Sequence, residues 1–341
     1  MTDYTRFVNT GAVDANGDGT TNLTTSGDNT HAYQSLALAE AAEATDIDTA
    51  GDSFIFQCEG STADTTQVSL GTDWTTSATD NIKIEPHAND VNTTGVYSTS
   101  LYRLVQTTSH TACIKVTGAN CGHVEINGIQ AEVGSNNSDC IAINASKASG
   151  VYIVYGTILK GSGSGNAQRG VHLEFTGTSD AHVVNNVIYE TGDDGIRLSY
   201  GVAGQVNIYN NTIDSTASFG IELPSGGSTQ EVRNNLITNC TSGDYTAAGS
   251  PTTETNGTSD GSSPQTGLQD LIVTYTDAAN DDYSTSDDEI TGQGTDLSSD
   301  SEYPFNVDRN GVSRGASWDL GAFQHVASGT GNPHNYYAQL Q

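Results

Sequence analysis

A short motif recurs through the middle of this 341-residue chain: a small residue, then an apolar one, any residue, and another apolar one. It reads Cys113-Ile114-Lys115-Val116, Cys140-Ile141-Ala142-Ile143, Gly170-Val171-His172-Leu173, Gly195-Ile196-Arg197-Leu198 and Gly220-Ile221-Glu222-Leu223, with the first apolar residues 27, 30, 25 and 25 positions apart. A second motif alternates with it: Val151-Tyr152-Ile153, His182-Val183-Val184, Val206-Asn207-Ile208 and Glu231-Val232-Arg233. Within each motif the apolar residues alternate at period 2, so one strand face turns inward and the other outward. A unit of about 25 residues cannot bury its own inner face, but stacked units form one continuous core. The repeat therefore predicts an all-β parallel solenoid with Ile114, Ile141, Val171, Ile196 and Ile221 in one interior file.

Three of the second motifs lead into paired asparagines: Asn185-Asn186, Asn210-Asn211 and Asn234-Asn235. Asparagine tolerates the left-handed backbone of a tight corner, and amides repeating every ~4.8 Å can hydrogen-bond in a ladder. These six residues are read as structural corners.

The exposed edges at the ends of such a stack need covers. Residues 1–50 are expected to hold a strand and turn region and a capping helix over Ser35 to Ala44, where apolar residues recur every three to four positions. This region is also the candidate for attachment to a larger assembly. Residues 51–240 are assigned to the coils, beginning with Asp52-Ser53-Phe54-Ile55-Phe56 and Asn81-Ile82-Lys83-Ile84. Residues 241–266, rich in Ser, Thr and Gly, are read as a loop. Residues 267–341, with strand-like Leu271-Ile272-Val273 and a turn-rich segment ending in Asp319-Leu320-Gly321-Ala322-Phe323, are read as an irregular cap at the far end and a tail.

Eleven Lys and Arg face 41 Asp and Glu, a formal charge of −30. So acidic a chain lacks the basic footprint that nucleic acid or an anionic membrane requires, and neither is expected as a partner. The opening Met1-Thr2-Asp3-Tyr4-Thr5-Arg6 has neither the basic nor the apolar region of a signal peptide, so synthesis without a leader is expected. The five cysteines include no CxxC pair and argue against a disulfide framework or zinc site. Cys113 and Cys140 occupy a place that is otherwise Gly, so a requirement for a small residue accounts for both.

Asp18-Gly19-Thr20, the helix at Ser35-Leu36, Gly51-Asp52-Ser53-Phe54-Ile55-Phe56, the coils with their Asn corners and the closing Asp319-Leu320-Gly321-Ala322-Phe323 together resemble right-handed parallel β-helix proteins of the pectate-lyase-like superfamily. The resemblance spans nearly the whole chain and implies the right-handed form of the solenoid. It extends to virion surface proteins of tailed phages, in head decoration or tails, and to polysaccharide lyases, glycoside hydrolases and adhesins. Fold alone does not select among these.

The middle residues of the first motif form an outward column: Lys115, Ala142, His172, Arg197 and Glu222. Arg197 could neutralise a sugar carboxylate while His172 and Glu222 move protons, or the charges could support one another between rungs. The second reading is expected. Asp193 and Asp194 would suit glycoside cleavage, which needs two carboxyl groups about 5–9.5 Å apart, but a solvated turn is expected there. No Ser/His/Asp arrangement stands out. Asp14, Asn16 and Asp18 match the first half of a calcium loop whose closing Glu is replaced by Thr25, so a turn is expected and calcium is the alternative. Tyr152, Tyr155, Tyr189, Tyr200 and Tyr209 fall in or beside the coils and are expected to be mostly structural, with a half-wet binding stripe as the alternative.

The expectation is a non-enzymatic structural protein on a virus particle, without cofactor, bound to major capsid or tail proteins. By analogy with phage β-helix proteins it would be a homotrimer. A polysaccharide-degrading enzyme and a glycan-binding adhesin are the alternatives.

Overall fold

A computed structural model describes residues 2–13, 16–24, 30–163, 167–175, 177–199, 204–224 and 229–325. Its strands stack into three parallel sheets of nine, seven and seven strands. One turn runs from Asp180–Val184 in the first sheet through Val187–Tyr189 in the second to Ile196–Leu198 in the third, and Gln205–Tyr209 then returns to the first. The fold is the all-β parallel solenoid that the repeats anticipate.

In the third sheet Ile114, Ile141, Val171, Ile196 and Ile221 pair in register from coil to coil, and all five are buried. Tyr245 extends the file by one coil. Each of these apolar side chains removes roughly 1.5–3 kcal/mol worth of surface from water. Gly170, Gly195 and Gly220 precede three of them because a Cβ at these places would come within 2.4 Å of Ile188, 2.6 Å of Ile213 and 2.1 Å of Ile237, respectively.

The corners between the first and second sheets divide the work between two asparagine columns. Asn185, Asn210 and Asn234 take the left-handed backbone, at φ 58°, 51° and 58°, where earlier coils use Gly128 and Gly156. The second column forms the ladder: Asn186, Asn211 and Asn235 each donate through Nδ2 to Oδ1 of the next rung at 2.9 Å, ending on Asn256.

At the N-terminal end, strand Thr2–Asn9 pairs along its full length with Asp52–Glu59. Helix Leu36–Glu43 starts on the side-chain cap of Ser35 and packs its buried Leu36 and Ala39 against the first strands. Its Leu36 N–H donates to Asp64 Oδ2, and Trp74 Nε1 donates to Glu40 Oε1.

Two expectations about the C-terminal third are corrected. Residues 241–266 are a further coil rather than a loop, with strands Gly243–Ala247, Thr252–Glu254 and Gly257–Thr258. Its polar side chains close the exposed edge: Asp260 accepts from Asp244 N–H, Ser262 from Tyr245 N–H, and Gln265 donates to Thr253 C=O. Residues 267–325 do not cap the far end but run back along the flank as a strap, from Leu236 to Gly95. Leu271-Ile272-Val273 forms no strand; Leu271 is buried while Ile272 is 81% exposed.

The strap lies where it does because the outer face of the second sheet is apolar. Ile158, Val187 and Tyr189 meet Ala322 and Phe323, and Leu236 meets Leu268, Leu271 and Leu320. Arg314, wholly buried, donates to Asn185 Oδ1 and the Gly321 carbonyl, so the corner asparagines also anchor the strap.

Candidate functional site

With the second sheet covered by the strap, the outer face of the third sheet is where chemistry-bearing side chains collect. Lys115, Ala142, His172, Arg197 and Glu222 are successive register partners, as the repeat predicts. A second column joins them, because Asp139 and Arg169 are also register partners three residues upstream.

The side chains interlock across rungs. Arg169 reaches Asp139 at 3.4 Å and Asp193 at 3.2 Å, and Arg197 reaches Asp193, Asp194 and Glu222 at 3.6, 3.2 and 3.2 Å through Nη1. Asp194 is wholly buried and accepts the Phe219 N–H, so it is a structural anchor rather than part of a solvated turn. Asp193 sits half-buried between the two guanidiniums. Burial and then the Asp194 charge push its carboxyl above the usual range, against the pull of both arginines. Glu222 is also raised, first by burial and then by the facing Asp194 carboxyl. A carboxyl raised in this way is able to hold a proton for an acid step.

His172 belongs to a different set of contacts. Its Nδ1 lies 3.3 Å from Asp139 Oδ2 and its Nε2 lies 2.9 Å from Ser199 Oγ. The expectation that no Ser/His/Asp arrangement is present is thereby corrected. The signal was the coil length: one coil of 30 residues separates His172 from Ala142, three residues past Asp139, and one of 25 separates it from Arg197, two before Ser199.

Other candidates disperse. Asp14 lies outside the described residues, and Asp18 Oδ1 is taken by Thr20. No group of three or more His, Cys, Asp or Glu able to hold a metal ion occurs among the described residues. Tyr200 is also outside them, and Tyr152, Tyr155, Tyr189 and Tyr209 are buried, in line with the structural role expected for most of them rather than with the alternative of a binding stripe. Tyr189 packs on Tyr283 of the strap and Tyr155 on Tyr303, since a half-apolar outer row is what the strap needs to adhere. Cys113 and Cys140 are buried, with thiols pushed up by burial, which leaves them poor nucleophiles.

No curated protein matches the chain. Residues 103–259 match the family described as right handed beta helix region, and the matched segment lies within the stacked parallel coils.

Proposed function

We propose that the protein is a structural component of a virus-particle surface, a head-decoration or tail-associated β-helix that docks on capsid or tail proteins. The observation that carries this reading is the lengthwise tying of the coils. The asparagine ladder, the ion pairs of the third sheet and the strap each bridge successive turns. A stack whose coils contact only their neighbours frays from its ends unless such ties couple them. The acidic surface and the resemblance to phage β-helix proteins support the particle setting, with homotrimer assembly as part of the same proposal. The test is to purify particles from the source by density gradient and image them at a resolution that traces this chain. Density for the coils on the particle is expected; particles that lack the chain overturn the reading.

A second reading rests on Glu222 and Asp193, two carboxyl groups with raised protonation on one arginine. It makes the ridge a polysaccharide-cleaving site. Release of reducing or unsaturated ends from a glycan panel, lost in Glu222→Gln, would establish it in place of a purely structural role.

A further inference from the structure

We propose that Ser199, His172 and Asp139 form an acyl-transfer site on the third sheet, acting on carboxylic esters with a short acyl group. This goes beyond the structural role and stands or falls apart from it. The three side chains come from three successive coils and meet in the order that nucleophilic catalysis requires. Asp139 Oδ2 faces Nδ1 of His172 at 3.3 Å, and Nε2 faces Ser199 Oγ at 2.9 Å. With the Nδ1 proton held by the carboxylate, Nε2 is the basic nitrogen and accepts the serine proton. Arg169, 3.4 Å from Asp139, helps to hold that carboxylate in place. All three groups are partly buried, so they are held in place while remaining reachable from solvent.

In the first half of the reaction Ser199 Oγ attacks the ester carbonyl carbon while its proton passes to His172 Nε2. The C–O bond to the alcohol breaks, and the alkoxide leaves with the proton from His172. Water then attacks the acyl-serine, gives its proton to the same nitrogen and releases the acid, restoring the serine hydroxyl. No other reactant is required. Arg197, two residues before Ser199 on the same side of the chain and already engaged by Asp193, Asp194 and Glu222, is the cation placed to face the oxyanion. The short acyl group follows from the surroundings. The face carries the polar side chains of Asn144, Glu174 and Glu222, which disfavour a long alkyl chain.

The test uses the full chain with p-nitrophenyl acetate and, separately, a fluorophosphonate probe located by peptide mass spectrometry. Turnover and a phosphonyl adduct on Ser199 are expected, with Ser199→Ala abolishing the adduct and lowering kcat roughly 10³-fold or more. His172→Gln should match that loss. Asp139 is a positioning residue, so Asp139→Asn should lower kcat with little change in KM and shift the pH profile. Should Ser199→Ala be misfolded by circular dichroism, Ser199→Cys keeps the question open to measurement: an activated thiol at 199 should be alkylated by iodoacetamide faster than in Ser199→Cys combined with His172→Gln. Hydrolysis unchanged by Ser199→Ala, or labelling confined to other residues, overturns the proposal. Particles carrying an inactive chain would leave only the structural role, and an active chain absent from particles would leave only the chemistry.

Discussion

Replacing Asn211 with alanine should be among the most damaging single changes in the protein, because this side chain serves both neighbouring rungs. Its Oδ1 accepts from the N–H and the Nδ2 of Asn186, at 3.0 and 2.9 Å. Its Nδ2 donates to Asn235 Oδ1 and to the Val183 carbonyl, at 2.9 and 2.8 Å. Asn211 and both asparagine neighbours are wholly buried. Asn211→Ala leaves two buried donors of Asn186 without an acceptor, at ~1–3 kcal/mol each, and removes a partner from two acceptors. A loss of about 3–5 kcal/mol follows. Asn211→Asp should cost at least as much, because it keeps the acceptor toward Asn186 but sets a charge against Asn235 Oδ1. The control is Asn144→Ala, which removes a single exposed bond to Glu174 and should cost under ~0.5 kcal/mol. Urea unfolding followed by circular dichroism and by the fluorescence of Trp318, in a Trp74→Phe background, reads coils and strap separately. If Asn211→Ala loses less than ~1 kcal/mol, or no more than the control, the ladder is not what couples the turns.

Arg314→Met should detach the strap, since it strips the buried Asn185 Oδ1 of its donor and leaves the Gly321 carbonyl with Asn210 alone; a cost of about 3 kcal/mol and faster proteolysis between 267 and 325 are expected. Ring-stacked on Tyr303 and 6% exposed, His182 is pushed down to about 4 from 6.5 by burial, with Asp180 and Asp300 pulling the other way. The unfolded chain takes this proton first, so its stability contribution falls as pH drops below 6.5 and is fully lost below about 4, worth roughly 3 kcal/mol. His182→Gln should flatten that part of a stability-against-pH curve. Glu222 acts in the opposite sense: with its folded carboxyl raised, the stability it adds is present at low pH and lost as pH rises through the raised value. Glu222→Gln should therefore be less destabilising, or more stabilising, at pH 7 than at pH 4 in thermal melts.

The candidate site shows how far a sequence can be read when its geometry is periodic. His172, Arg197 and Glu222 could be placed on one line because residues one coil apart are neighbours in space. Asp139 and Ser199 were missed because they belong to adjacent columns, and only the side-chain directions bring them to the two nitrogens of one imidazole. Asp194 was read as solvated because a DDG turn resembles a surface corner; the coil instead folds it beneath Phe219, where the backbone N–H needs an acceptor.

By itself the amino-acid sequence determined the repeating architecture, the inward file of Ile114 to Ile221 and the asparagine corners, because each is a local pattern repeated at the period of the coil. The strap was decided only in three dimensions. Residues 267–325 have no periodicity and fold by matching a surface, the apolar outer face of Ile158, Val187, Tyr189 and Leu236, that exists only once distant coils have stacked. That covering in turn buried the tyrosines and left the third sheet as the face where charge and nucleophile meet.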